Sequence, residues 1–253
     1  MKRDSYVLGL IVLILVALLA EIGFFDLDRL ARGAENLGTF SKDTVPPDLG
    51  IIPDLIQPLI ETVEMALAGT LLGFVVSLPL GLMGARNISP LSLIVLVRLI
   101  VAVTRTIPTL VWAILFVIFV GLGPLAGTLG LAVYTVGYLG KLYAEAFEAA
   151  DPEVLEAVRG VGATRPQLAR FVLLPEAANS LWSQLLFMVE YNIRASSILG
   201  FVGAGGIGFY IQVYVQTLQY QRLAALLLLT LALVLLLDVF SAWVRERYLI
   251  AAR

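Results

Sequence analysis

The sequence predicts an all-α, polytopic membrane protein with six transmembrane helices and one interfacial helix. Three observations carry that prediction. The 253 residues are 60% hydrophobic with a mean hydropathy of +0.95, well above the roughly 45–50% apolar content of soluble domains. The apolar residues fall into separate runs, several long enough for a hydrocarbon core of about 30 Å. Lysine and arginine gather at alternate ends of those runs, as the positive-inside rule requires.

Residues 6–25 carry one charge, Glu21, behind Lys2 and Arg3, and make the first span. Ala17 and Ala20 do not form the small-x-small cleavage pattern of a signal peptide. Residues 26–57 are net acidic and interrupted by Pro46, Pro47 and Pro53. They predict a short helix and an extended lead-in, either an outer surface for a partner or a solvated connector. The second span is 58–84, with Glu61 and Glu64 in its first turns. Gly69, Gly73, Ser77 and Gly81 recur every four residues, giving a face on which another backbone can approach closely.

Residues 89–107 are apolar but carry Arg98 and Arg105 seven apart, on one helical side, and are assigned to an interfacial helix along the inner surface. The third span is then 108–120, with an outer turn at 121–124 and the fourth span at 125–144, closed by Lys141. The fifth span is 177–199, followed by a glycine-dense bend at 200–208 and a shallow re-entry at 211–220. The sixth span is 223–243, and Arg245, Arg247 and Arg253 end the chain. Most of the 17 Lys and Arg fall on one side in this arrangement, while Arg29, Arg32 and Lys42 occupy the outer segment. Both termini are therefore expected in the cytoplasm.

Histidine and cysteine are both absent. That removes thiolate nucleophiles, Ser-His and Cys-His catalytic arrangements, and the usual zinc ligand sets. The net charge of −2 includes no basic stripe for nucleic acid. Gly203, Gly205 and Gly208 satisfy G-x-G-x-x-G, but no strand precedes them and no acidic residue follows at the distance a ribose needs. These glycines instead suit a bend with close helix contact.

The long polar interruption is EAVRGVGATRPQLARFVLLP, residues 156–175. Leu155, Val158, Leu168, Phe171 and Val172 recur at helical spacing, while Gly160 and Gly162 break the run. The pattern predicts helix, glycine turn, helix, held outside the bilayer for another protein to receive. Its spacing, Glu156-Ala157, then Gly162, then nine residues to Val172, then Leu174-Pro175, resembles the cytoplasmic loop of ABC importer permeases. Val158 stands where that family usually has Ala, and Val172 where it usually has Ile. Further stretches, among them residues 78–87 (LPLGLMGARN), 104–148 and 192–209 (NIRASSILGFVGAGGIGF), look like the phosphonate-type permeases. Methionine-type permeases are similar in the glycine bend and the loop.

This resemblance implies a type I, methionine-importer-like permease fold in a bacterial inner membrane. Residues 1–57 would be an N-terminal helix and periplasmic segment, and 58–253 a permease core with its coupling loop at about 146–175. It also implies a second copy of the chain, two ATP-binding subunits that hold ATP and magnesium, and a substrate-binding protein that delivers a phosphonate, phosphite or phosphate. No cofactor is expected on this chain. The expected ATPase-coupling residues are Glu156, Ala157, Gly160, Gly162, Ala163, Leu174 and Pro175. Candidates for the pathway or gate are Glu190, Asn192, Arg194, Ser196, Gly203, Gly205 and Gly206. Glu190 and Arg194 have two readings: Arg194 offers positive potential to a passing anion, or the two neutralise each other at i, i+4. Asp238 is expected to serve helix packing.

Overall fold

Glycine spacing dictates the centre of the molecule. The structure, a computed structural model, describes residues 2–249; Arg253 and the side chains of Lys2 and Arg3, counted above as inner cations, lie outside it. By contacts the chain divides into Met1–Pro46 and Pro47–Arg253. The first unit holds α1 (Lys2–Glu21) and α2 (Leu27–Thr44), with the Asp26 carboxylate capping α2 by accepting from Arg29 N at 2.9 Å. The apolar part of α1, Tyr6–Glu21, exposes large side chains such as Leu13 along its length.

In the second unit α3 (Ile52–Gly84) carries Pro53 in its first turn, where the missing N–H costs nothing. Residues 52–57, expected as lead-in, are thus already helical, and Ile51 and Leu55 bury against Ile207 and Leu226. The small-residue face of α3 meets α6 (Pro124–Glu148), after α4 (Leu91–Thr106) and α5 (Thr109–Val120). A methyl at Gly69 would lie 2.8 Å from Leu131 Cβ, and one at Gly81 2.7 Å from Tyr143 Cβ. The expected close-approach face is therefore real, and its partner is α6.

A second set of glycines turns α6 into a hub. Gly130 lies against the backbone of Ala113 in α5, Gly137 against that of Arg105, and Gly140 against Val101 in α4. Contact on several sides explains why α6 has too many Gly, Tyr and Thr to score as apolar: it faces protein more than lipid. Three helical stretches, Leu49–Gly84, Arg165–Val202 and Tyr220–Arg247, are long and apolar enough to cross a membrane alone, among the described residues.

The residues expected as an interfacial helix, 89–107, hold α4. α4 and α5 form one apolar pair bent by 89° at Thr106–Pro108, and this pair makes a fourth candidate span. The 12 residues of α5 reach only ~18 Å, well short of the hydrocarbon thickness, so 108–120 is not a span by itself. Val101 packs beside Gly140 and Arg105 beside Gly137, near the midpoint of α6. α4 thus climbs along the hub from the end near Gly84.

The chain continues through α7 (Pro152–Gly160) and α8 (Arg165–Leu168), then a π-helical turn, Ala169–Leu173, that leads into α9 (Leu174–Leu199). A short helix α10 (Ile207–Gln216) and the long α11 (Tyr220–Val244) complete it. Trp182 stacks on Phe74, and Tyr191 on Tyr134, along the seams that α9 makes with α3 and α6.

Candidate functional site: the docking loop and the helix break

The loop after α6 is built as its pattern predicts. The Asp151 carboxylate caps α7 by accepting from Glu153 N at 2.8 Å, and Gly162 takes φ +87°, a left-handed turn that disfavours any side chain. The Gln167 side chain accepts from Thr164 N at 2.7 Å to open α8. Leu155, Leu168, Val172 and Leu173 bury in one cluster with Ala85 and Phe147, so the loop is seated on the ends of α3 and α6. Phe171, expected on that apolar stripe, points the other way: it is 66% exposed beneath the Arg170 guanidinium, and Val161 is 85% exposed. Glu156, Ala157, Gly160 and Pro175 are also exposed, while Ala163 and Leu174 are half-buried. The apolar residues that face solvent form a surface that water does not favour.

Polar bonds tie the seat together. Glu148 Oε1 accepts from Arg86 N and Arg98 Nη2, each at 2.6 Å, and Arg98 also donates to Gly84 O at 3.1 Å. Asn87 donates to Phe147 O at 2.7 Å, and Arg159 of α7 donates to Asn87 O. The signal missed in the sequence is the carboxylate at the end of α6, which lies far along the chain from its partners.

The pathway candidates separate into three groups. Asn192 is wholly buried and donates at 2.8 Å to both Thr70 Oγ1 and Thr135 Oγ1, joining α9, α3 and α6. Ser196, also buried, donates to Ile193 O at 2.8 Å. Gly203, Gly205 and Gly206 all have positive φ, and the bend they make is pinned where Thr62 Oγ1 accepts from Ile207 N at 2.8 Å. Glu190 and Arg194 do not pair with each other: Glu190 pairs with Arg245, and Arg194 Nη1 lies 3.7 Å from Asp238 Oδ1. Both partners come from α11 or the turn that follows it, so the reading of a local i, i+4 pair is corrected.

One cavity was not foreseen. About 380 Å³ opens at the α4–α5 break, lined by Arg105, Thr106, Thr109, Tyr134, Tyr191 and Ala195, among others. Arg105, assigned by sequence to the inner surface, stands on its wall. The available signal was a cation followed three residues later by proline inside an apolar run, TRTIP.

A glycine-stitched helical bundle with long apolar helices, and a polar loop seated on its helix ends, has the build of a membrane-embedded transport subunit. The chain belongs to the family of binding-protein-dependent transport system inner membrane components, whose model matches residues 77–250. It is 38% identical over 228 residues to the phosphite transport system permease protein PtxC of Stutzerimonas stutzeri, covering 90% of this chain and 83% of that one. It is 36% identical over 216 residues to the phosphate-import permease protein PhnE of Mycolicibacterium smegmatis, covering 84% of this chain and 40% of that one. Among solved structures it is similar to a chain of the inward-facing MetNI methionine ABC transporter, at TM-score 0.70 and 29% identity, over 78% of this chain and 97% of that chain.

Proposed function

We propose that this chain is the membrane subunit through which an ATP-driven importer moves a phosphorus oxyanion, such as phosphite, phosphonate or phosphate, across the inner membrane. The single observation that carries the transport role is the α7–Gly162–α8 loop, seated on α3 and α6 yet presenting Val161 and Phe171 to solvent. The oxyanion class rests on similarity to permeases named for phosphite and phosphate.

Two copies of the chain pair in the membrane, and each docks its loop on a separate ATP-binding subunit, which carries ATP and magnesium. When those subunits close, the two loops are drawn together and the bundle turns from inward- to outward-facing. A binding protein then releases its ligand at the outer mouth. Partners thus bias a two-state equilibrium, and ATP hydrolysis takes place on another polypeptide. Glu156, Ala157, Gly160, Gly162, Ala163, Leu174 and Pro175 form the coupling element.

Six crossings follow if α1, α3, the α4–α5 pair, α6, α9 and α11 each traverse the bilayer, with both termini cytoplasmic. This counts the broken pair once. The glycine bend lies at the outer mouth, and the Arg98–Glu148 cluster at the inner ends.

The test is ATP hydrolysis by the chain reconstituted with its ATPase and binding protein, with phosphite, methylphosphonate, phosphate or methionine. Stimulation by a phosphorus oxyanion is expected. Stimulation by methionine alone would move the chain to the methionine-type relatives, and hydrolysis indifferent to the binding protein and all ligands would refute the importer reading.

A further inference from the structure

We propose that the break between α4 and α5 is a binding site for the transported oxyanion, held by Arg105, the amide end of α5 and the Thr109 hydroxyl. This rests on the reading of the chain as an oxyanion importer and locates the anion inside it.

The argument begins with charge. A cation at membrane depth is costly unless it meets a partner or a water-filled cavity. Four other cations along these helices have carboxylates: Arg98 pairs with Glu148 at 2.6 Å, Lys141 with Glu145 at 3.2 Å, Arg194 with Asp238 at 3.7 Å, and Arg245 with Glu190. Among the described residues, Arg105 has no carboxylate partner. It is held beside the midpoint of α6, where a methyl on Gly137 would lie 2.6 Å from Arg105 N, and it lines the 380 Å³ cavity.

The backbone adds donors at the same place. The first amides of a helix have no partner within it, and their dipoles favour an anion. In α5, Val111 N and Trp112 N both donate to Pro108 O, at 2.9 and 3.3 Å. That leaves the amides of Thr109 and Leu110, two residues that line the cavity. A broken helix at membrane depth persists where it lines a cavity, and half-helix N-termini there suit anionic groups.

The third observation is a side chain at the same helix end. Thr109 is 7% exposed, and its hydroxyl has no hydrogen-bond partner. A buried hydroxyl without a partner is unfavourable, and a ligand oxygen in the cavity would satisfy it. Tyr134 and Tyr191, stacked with centroids 5.3 Å apart, bring two phenols to the same wall. One guanidinium, two amides and three hydroxyls, with no carboxylate on the wall, fit a tetrahedral anion and repel nothing about it.

Arg105 also lines a second cavity of about 150 Å³, shared with Arg98, Lys141 and Glu145 toward the inner end of α6.

The experiment uses the full complex in proteoliposomes and reads uptake of radiolabelled phosphite, methylphosphonate and phosphate per ATP hydrolysed. Arg105→Gln should lower that ratio about ten-fold or more, which corresponds to about 1.4 kcal/mol of lost interaction. Arg105→Lys should recover part of it, and the isosteric Thr109→Val should lower it about three-fold. Assembly is followed by gel filtration. A glutamine variant matching wild type would overturn the site while leaving the importer reading intact. Glutamine and lysine variants that equally fail to assemble would reduce Arg105 to a structural residue and overturn it too. A wild-type complex that takes up none of the three anions would bring down the functional reading, and the site with it.

Discussion

Arg98 Nη2 sits 2.6 Å from Glu148 Oε1, and this one carboxylate also accepts from Arg86 N. The end of α6 thereby holds the end of α3 and the middle of α4 at the seat of the α7–α8 loop. Both side chains are partly exposed, so solvent screening reduces the pair's value. Glu148→Gln should still cost about 1–2 kcal/mol, since hydrogen bonds to charged groups exceed neutral ones. For a chain of this size that is a fall of a few degrees in the midpoint of thermal unfolding in detergent, about 2–4 °C per kcal/mol. An unchanged midpoint would show the cluster to be ornamental.

The α3–α6 seam predicts a steric asymmetry. A methyl at Gly73 would lie 2.5 Å from Thr135 Cβ and 3.0 Å from Ala132 O, whereas nothing lies within 4 Å of one at Gly38 in α2. Gly73→Val should cost about 1–3 kcal/mol or more by overpacking. Gly38→Ala should stabilise slightly, since alanine is favoured over glycine by about 0.5–1 kcal/mol in a helix interior. Folded yield and unfolding midpoint read both.

The two loop glycines should behave differently. At Gly162, φ is +87° and open space surrounds the missing side chain, so Gly162→Ala pays only backbone strain, about 1–2 kcal/mol. Gly160 ends α7 with open space around it, so Gly160→Ala should be tolerated. Binding-protein-stimulated ATPase activity should fall in the first and persist in the second. Equal effects would show that the turn's conformation does not matter to coupling.

Asn192 predicts a modest loss. Its amide joins Thr70 and Thr135 at 2.8 Å each, and interhelical hydrogen bonds in membranes average about 0.6 kcal/mol, up to about 1.7. Asn192→Leu, similar in volume, should therefore lower stability by about 1–2 kcal/mol without dissociating α9. A double cycle with Thr70→Val isolates the bond, and strict additivity would refute it.

What could be read ahead of the structure was local and periodic. The four-residue spacing of Gly69, Gly73, Ser77 and Gly81 announced a close helix contact, and the loop motif announced Gly162 as a turn. Pairings across the chain were not legible. Glu190 and Arg194 satisfy a local rule, yet each is drawn to α11, because the fold brings a charge of the right sign from more than 40 residues away. α4 looked interfacial because two arginines marked one side of it. Arg98 is instead neutralised by Glu148, and Arg105 faces a cavity, facts of packing that no single stretch encodes. Phe171 obeyed the helical period but sits inside the π-helical turn, which shifts the phase of the faces.

The two ion pairs between α9 and the α11 end act as a register key. α11 is greasy on nearly every side, with Leu235, Leu236, Val239 and Phe240 exposed, and such a rod in lipid has little to tell it how deep to stand. Read along the antiparallel pair, α9 offers minus then plus at Glu190 and Arg194, and the other side answers with plus then minus at Arg245 and Asp238. Slide α11 by one turn, about 5.4 Å, toward Arg194, and Arg245 comes alongside it, like charge against like. Depth in the bilayer is thereby specified by sign order, where greasiness alone would leave a helix free to piston.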